Sequence, residues 1–492
     1  PRAEAVMMAD VFAAGGYRTG CFGKWHLGDN YPFRPQDRGF QEVLVHGGGG
    51  VGQTPDYWGN DYFDDTYFHN GKPQRFTGYC TDVWFDGALE FVEANKERPF
   101  FVYITTNAPH GPLNVDPKYS DPYKAKGVPD AMAKFYGMIE NIDENMGRLM
   151  AKLDAWQLAE NTILIFMTDN GTANGVSGRP KKPAKGKPGA SETWTGFNAG
   201  MRGRKGSIYD GGHRVPCFIR WPAGKLEGGR DVGTLCAHVD MLPTFIDLCG
   251  LPKPSDAAFD GISVAPLLHG QTESWPDRTI MVQYRQSHDP PVQGQAAVLT
   301  ERWRLVNDRE LYDIDTDAGQ ANNVAGDHPD VVARMHAAYE AWWSDVSRRF
   351  DDYCRIVLGS DPENPTTLNP FDWHTQTPWN QGHIRSGAAA NGFWAVEIER
   401  EGNYRFSLRR WPPEVDAPIT GAIEGGKAIK ATEARLKIGD VDQTKPIPDG
   451  AVEVIFDVPL KPAEIELQTW FTDERSGESR GAFYVTVERL AE

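Results

Sequence analysis

Four short segments of this 492-residue chain hold residue types that could act on an anionic substrate. Gly23-Lys24-Trp25-His26-Leu27-Gly28 places an ammonium and an imidazole two residues apart. Asn107-Ala108-Pro109-His110-Gly111-Pro112 holds an imidazole between two prolines. Thr168-Asp169-Asn170-Gly171 offers a carboxylate and an amide oxygen side by side, and Lys205 lies in the glycine-rich stretch from Arg202 to Pro216. Each has a plain structural reading when taken singly. Lys24 fits a solvated strand end, His26 a packed ring, Lys205 a surface lysine, and Asp-Asn-Gly a turn. Together, two lysines, two histidines, a carboxylate and an amide suit an anionic ester whose charge grows at the leaving oxygen.

Apolar runs position these segments. Arg18 to Phe22 reads as a short strand ahead of Lys24, and Phe100 to Ile104 as one ahead of Asn107. Ile163 to Met167 leads into Asp169, and Pro216 to Trp221 follows the Lys205 loop. The second and third runs are apolar on both faces, as expected of strands buried in a mostly parallel sheet. Helices are expected from Ala3 to Ala14, from an N-cap at Thr81 to Asn95, from Asp130 to Leu158, and from Asp240 to Cys249. This alternation predicts an α/β fold, a mixed, mostly parallel sheet sandwiched by helices. Loops at the carboxyl ends of such strands form the site, so the four segments are expected to converge at one sheet edge. After Asp277 short strands and a helix from Pro329 to Val346 predict a small α+β subdomain. A Pro/Asn-rich linker from Asp361 to Pro370 leads into segments that alternate apolar and polar residues, the pattern of an antiparallel β-sandwich. The expected domains are 1–276, 277–360 and 361–492.

Composition narrows the function. Lys and Arg number 51 against 68 Asp and Glu, a net charge of −17, which disfavours a general nucleic-acid binder because phosphate affinity needs a broad basic surface. No apolar run approaches the ~20 residues of a membrane span. The six cysteines form no CxxC pair, which removes zinc-ribbon and thioredoxin readings. Most of them stand in apolar stretches and are expected to be buried free thiols.

The segments GYRTGCFGKWHLG, PFFVYITTNAPHGPL, ILIFMTDNG, RKGSIYDGGHRVPCFIRWP and HVDMLPTFIDLCGLP, in this order and at these separations, resemble successive blocks of the type I sulfatases of the alkaline phosphatase superfamily. ELYDIDTDAGQANNVA is similar to the tail of that family's smaller subdomain, so the likeness extends from Ala3 to Val346. It departs at Asp210, where the family usually has Glu, and at His213, where an aliphatic residue is common. The family's first strand carries two metal-binding aspartates, followed by a Cys/Ser-x-Pro-x-Arg motif whose Cys or Ser becomes formylglycine. Neither feature occurs here, so the chain is expected to lack an N-terminal strand and nucleophile segment.

The resemblance implies a role for each candidate. Asp169 and Asn170 would be oxygen ligands of Ca²⁺, with Mg²⁺ the lesser alternative. Lys24 and His26 would hold and deprotonate the formylglycine hydroxyls, His26 also driving sulfate release. His110 and Lys205 would bind the sulfate ester and neutralise or protonate the leaving oxygen. The expected activity is sulfuric ester hydrolysis on sulfated carbohydrates or aryl compounds, with a periplasmic or secreted location. The alternatives are a phosphodiesterase or phosphonate monoester hydrolase on the same scaffold, and a non-catalytic glycan-binding relative. The oligomeric state is left open.

Three further features have plainer readings. Asp313, Asp315 and Asp317 have the spacing that opens an EF-hand, but position six is Ala318 and position twelve Val324, so no calcium loop is expected. The basic stretch from Arg179 to Lys187 reads as a solvated loop with some potential to attract polyanionic glycans. Trp373, Trp379, Trp394 and Trp411 are expected to serve mainly a sandwich core.

Overall fold

The first sheet is organised around the strand that ends at Lys24. In chain order its strands are β1 (Arg18–Lys24), β2 (Glu42–His46), β3 (Thr66–His69), β4 (Lys72–Arg75) and β5 (Phe100–Thr105). Their spatial order is β4-β3-β2-β1-β5, with β1 parallel to both β2 and β5 and the β3–β4 hairpin added antiparallel to β2. The computed structural model describes residues 2–173, 196–226, 228–255, 257–272, 275–286, 289–375 and 377–491. The basic stretch 179–187 lies outside them. The chain forms two compact units, residues 1–114 with 353–492 and residues 115–352.

Successive residues of β1 face opposite sides of the sheet, and a helix covers each side. Phe22 meets Phe91 of α2 (Cys80–Asn95) with ring centroids 5.8 Å apart. Gly87 of the same helix passes so close that a Cβ would lie 3.0 Å from Leu44. On the other side Cys21 packs with Ala9 of α1 (Met8–Ala14), Trp25, Phe40 and Val43, and Phe12 stacks on Phe101 at 4.2 Å. This is the expected α/β construction, with three local differences. Helix α1 starts at Met8 rather than Ala3, where Asp10 accepts the Met7 N–H at 3.0 Å and satisfies a helix-start donor. Thr81 lies inside α2, fully buried, and the helix is preceded by Tyr79. Strand β5, expected to be buried on both faces, lies at the sheet edge with Tyr103 37% exposed.

The second unit carries α3 (Pro117–Lys124), α4 (Asp130–Ala155), β6 (Leu164–Met167), α5 (Asp210–His213), β7 (Cys217–Arg220), α6 (Met241–Cys249) and α7 (Ala265–Leu268). Strands β6 and β7 pair antiparallel, from Leu164 opposite Arg220 to Met167 opposite Cys217. Two-stranded pairing leaves Phe166 and Phe218 exposed, so β6 too departs from the fully buried strand expected. It also leaves Cys217 at the surface. Cys21 and Cys80 are buried as expected, whereas Cys236 and Cys354 are exposed as well, and all six thiols are free. The strands β8 (Ile280–Gln283), β9 (Ala296–Leu299), β10 (Trp303–Val306) and β11 (Glu310–Asp313) follow as an antiparallel sheet. One face of it packs on Val331, Met335 and Tyr339 of α8 (Pro329–Val346). The other face meets Ile208, Tyr209 and Leu235, which seats the Lys205 loop on the small sheet. Asp313 is paired with Arg302 at 2.6 Å.

The chain then returns to the first unit through β12 (Ile356–Leu358), β13 (Thr366–Leu368), α9 (Gln381–Arg385), β14 (Phe393–Ile398), β15 (Gly402–Arg409), β16 (Glu433–Ile438), β17 (Val441–Pro446), β18 (Val454–Leu460), β19 (Ala463–Thr472), β20 (Ser479–Arg480) and β21 (Tyr484–Arg489). Two sheets, β12-β14-β19-β16-β17 and β13-β21-β15-β18, enclose one core. Trp373, Trp394 and Trp411 are buried in it, while Trp379 is 51% exposed. The stretch expected to be a linker instead contains β13, because Thr366 and Leu368 pair with Val487 and Val485.

One buried ion pair ties the Lys205 loop to the small sheet. The Arg304 guanidinium reaches the Asp210 carboxylate at 3.3 Å, both residues being almost fully buried. Removing one partner of such a pair leaves a charge without compensation. Arg304→Met should therefore lower stability by about 3–5 kcal/mol, and adding Asp210→Asn should restore part of the loss. Thermal unfolding of the wild type and both variants checks this.

Candidate active site

Three strands of the first unit deliver their last residues to one place. Lys24 closes β1 directly opposite His46, the last residue of β2. Gly23, opposite Thr105 of β5, has φ +118°, and a Cβ there would lie 2.0 Å from the Thr105 carbonyl oxygen. Only glycine fits that approach. The Thr105 hydroxyl donates to the Lys24 carbonyl at 2.6 Å, locking the two strand ends.

Beyond Lys24 the chain turns sharply. His26 stands at φ +61°, a left-handed conformation that non-glycine residues rarely adopt and that clusters at functional sites. Its ring lies flat on Gly49, where a Cβ would fall 2.3 Å from Nε2. The Gly47–Gly50 arch is held by side-chain acceptors. Asp29 takes the Gly48 N–H at 2.9 Å, Gln53 the Gly49 N–H at 2.8 Å, and Asp56 the Gly47 N–H at 3.3 Å.

His110 is placed by α2. The Trp84 indole donates to the Asn107 side chain at 2.8 Å, and the Asn107 carbonyl accepts the His110 N–H at 2.9 Å. The Tyr62 hydroxyl donates to the His110 carbonyl at 2.7 Å. His110 Nδ1 lies 2.8 Å from the Gly111 carbonyl. A carbonyl only accepts, so Nδ1 carries the proton in that contact.

The sequence reading missed His46. It is 1% exposed, its Nδ1–H donates to the Gly47 carbonyl at 2.8 Å, and its Nε2 is buried with no hydrogen-bond partner among the described residues. Burial pushes its pKa down to about 4, and Lys24, His26 and His110 push in the same direction. The ring is therefore a neutral acceptor among three potential cations. The available signal was its place at a strand end ahead of four glycines. Asp372 was missed too, and no local pattern announces it. Burial raises it to about 7, with repulsion from Asp29, which burial raises to about 6. Phe371, beside Asp372, lies 5.8 Å from the His26 ring.

The second unit gathers the other three candidates. Gly171 donates its N–H to the Gly212 carbonyl at 3.0 Å, and a Cβ on Gly171 would sit 2.0 Å from the Gly211 oxygen. Lys205 donates its backbone N–H to the Thr172 carbonyl at 3.0 Å. Asp169-Asn170 and the Lys205 loop are thus packed backbone against backbone, and the His238 Nε2–H donates to the Thr168 carbonyl at 2.9 Å behind them. Asn170 spends its amide N–H on the Gly171 carbonyl at 2.9 Å, which leaves Oδ1 as an acceptor, and Asp169 is exposed. The structure so brings Lys24, His26 and His110 together around His46 in one unit, and Asp169, Asn170 and the Lys205 loop together in the other.

Known proteins resemble this chain in sequence and in fold. The sulfatase family model matches residues 2–251, just over half of the chain, and the model of the C-terminal part of N-sulphoglucosamine sulphohydrolase matches residues 204–342. An N-acetylgalactosamine-6-O-sulfatase of Bacteroides thetaiotaomicron is 29% identical over 413 residues, covering 68% of this chain and 76% of that protein. An N-acetylgalactosamine-6-sulfatase of Canis lupus familiaris is 27% identical over 277 residues, 54% of this chain and 48% of that protein. The chain spans about half the length of that relative and of the sulfatase YdeN of Escherichia coli. The crystal structure of Ps i-CgsB in complex with k-i-k-neocarrahexaose has a TM-score of 0.58 and 26% identity, covering 69% of this chain and 74% of that one. Fold and matches place the chain in the alkaline phosphatase superfamily. Within it the chain belongs to the sulfatase family, hydrolases of sulfuric esters.

The raised carboxyl groups make stability pH-dependent with a definite sign. Asp29 and Asp372 keep their protons in the folded protein up to about 6 and about 7, whereas an unfolded Asp loses its proton near 3.9. Unfolding thus releases protons between roughly pH 4 and 7, and stability falls as pH rises through that window. Asp372→Asn should flatten this fall, as read by unfolding temperatures across the window.

Proposed function

We propose that this protein hydrolyses sulfate esters of saccharides with a formylglycine nucleophile and a bound calcium ion. The carrying observation is the Lys24–His26–His110 cluster around neutral His46 at the ends of β1, β2 and β5, inside the segment that the sulfatase model matches. The saccharide part draws on the relatives, one named for N-acetylgalactosamine and one bound to k-i-k-neocarrahexaose.

Asp169 and Asn170 offer hard oxygen donors of the kind Ca²⁺ takes. The Asn170 oxygen is left as an acceptor because its amide nitrogen is already used. Two ligands are part of a shell of six to eight, and no group of three or more His, Cys, Asp or Glu among the described residues would hold a metal by itself. The two residues fit as members of a shell completed by further carboxylates. When bound, the ion supplies positive charge that polarises the sulfate oxygens.

In this reading Lys24 holds charge next to the nucleophile, and His26 moves its proton to let sulfate leave. His110 protonates the ester's leaving oxygen, and Lys205 pairs with the sulfate. None of the six cysteines stands in the sequence context of a formylglycine precursor. Among the described residues β5 has β1 as its one sheet neighbour, and an open strand edge is a template for a further strand. No helix of the described residues is long and apolar enough to cross a membrane; a periplasmic or secreted location is part of the proposal.

Two measurements on the full-length enzyme test these roles. General acid catalysis is typically worth ~10²–10⁴-fold, and an activated phenolate needs little of it. His110→Ala should therefore slow alkyl sulfates far more than activated aryl sulfates, and His26→Ala should slow both alike. Equal leaving-group slopes in the two variants would overturn the division of labour. Asp169→Ala should abolish turnover and weaken calcium binding in a calorimetric titration, since a hard cation loses a charged ligand. An unchanged titration would remove Asp169 from the metal shell.

A further inference from the structure

The second unit has a cavity of about 590 Å³ that the roles above leave unused. Its lining includes Gly206, Tyr284, Gln293, Asn307, Asp308 and Arg309. Gly206 directly follows Lys205, so part of the cavity wall and the residue proposed to hold the sulfate ester belong to one loop. Its volume is in the range of small-ligand sites.

Hydrogen bonds hold part of the lining. Asn307 and Asp308 stand at φ +52° and +56°, forming the tight turn between β10 and β11. The Asn307 N–H donates to the Ala296 carbonyl at 2.9 Å, and the Gly294 N–H donates to the Tyr339 hydroxyl of α8 at 2.9 Å. Gly206 has φ +83°, and a Cβ there would meet the Tyr284 ring at 3.2 Å. Glycine at this point keeps the space beside the phenol ring open.

The lining chemistry is that of a sugar site. Tyr284 is 44% exposed and presents an aromatic surface to which the C–H face of a sugar ring can apply itself. The Gln293 amide nitrogen donates to Glu340 at 2.9 Å, which leaves its oxygen as an acceptor for hydroxyls. Asn307 and Asp308 add further acceptors and an amide donor. Arg309 is exposed, and its guanidinium enters no ion pair among the described residues. A planar guanidinium so placed suits bidentate pairing with a sulfate or carboxylate.

We propose that this cavity is a saccharide subsite that takes the sugar unit adjoining the sulfate ester, with Arg309 pairing a second anionic group on that unit. The proposal rests on the sulfatase reading above, through Lys205. Calorimetric titration of the full chain with three disaccharides tests it. Each carries one sulfated hexosamine, joined to a neutral hexose, to a sulfated hexose or to a uronic acid. The anionic neighbours should bind about tenfold more tightly than the neutral one, the scale of a hydrogen-bonded charge pair, and Arg309→Ala should erase that preference. Comparing the sulfated and uronic arms tells which anion the site prefers. Tyr284→Ala should weaken all three disaccharides. Equal affinities in the wild type, absence of binding, or a preference that survives Arg309→Ala would overturn the subsite. Aryl sulfate turnover by the full-length enzyme, and its loss in Lys205→Ala, tests the sulfatase reading separately. Turnover with no Arg309 effect removes the subsite alone, whereas absence of turnover removes the reading on which it stands.

Discussion

The site of the first unit depends on the parallel register of β1 between β2 and β5. That register sets Lys24 opposite His46 and Gly23 opposite Thr105. A one-residue slip would turn each side chain to the other face of the sheet and separate the lysine from the imidazoles. The register is held from both faces at once, by Phe22 against Phe91 and by Cys21 in the cluster with Ala9 and Phe40. It is also held at the strand end by the Thr105 hydroxyl on the Lys24 carbonyl. Core packing and site geometry are in this sense one constraint.

Charge is arranged around that register with the same economy. A charged imidazole at position 46 would repel Lys24, His26 and His110, and burial keeps the ring neutral instead. Asp29 and Asp372, which could cancel the positive cluster if both were ionised, are raised by burial, and Asp372 by repulsion from Asp29 as well. Two carboxyl groups in one buried place cannot both ionise cheaply. Asp29 nevertheless accepts the Gly48 N–H and so shapes the glycine arch on which His26 rests. One carboxyl group thus sets backbone shape while adding little negative charge beside the cationic residues below about pH 6.

Much of this was legible in the sequence because it is local. The strand starting at Arg18, read to Phe22 and observed to Lys24, the helix from Pro329 to Val346 and the alternation of the sandwich strands are all local patterns. The six candidates lie on the strand-end and loop segments that the sequence singled out. What escaped was set by distant partners. Asp372 is some 340 positions from Asp29 in the chain and acquires its role only through folding. Thr366 to Leu368 reads as linker until β21 supplies its hydrogen bonds. Cys217 is apolar in its local setting, yet it lies on a two-stranded ribbon that leaves it exposed. Burial on both faces was inferred for β5 and β6 from composition, which records what a strand can bury rather than which neighbours it has.

Asp210 shows how a small departure from a family pattern acquires a physical reason. The family usually has Glu there, one methylene longer. In this chain the carboxylate is 1% exposed and receives the Arg304 guanidinium at 3.3 Å, while the Asp210 N–H donates to Gln320 at 2.9 Å. Gly211 and Gly212 follow immediately, and their backbones press on Gly203 and Ser207 so tightly that a Cβ would fall 2.5 Å and 1.9 Å from the carbonyl oxygens there. In so close a fit an extra methylene would displace either the arginine or the loop. The shorter acid therefore belongs with the arginine on β10, and the pair holds the Lys205 loop against the small sheet from behind. His213, the other departure, closes the same turn within 3.9 Å of Asp210, and burial lowers its pKa. The two departures are neighbours in space as well as in sequence, and together they form a support for Lys205 rather than a change in its chemistry.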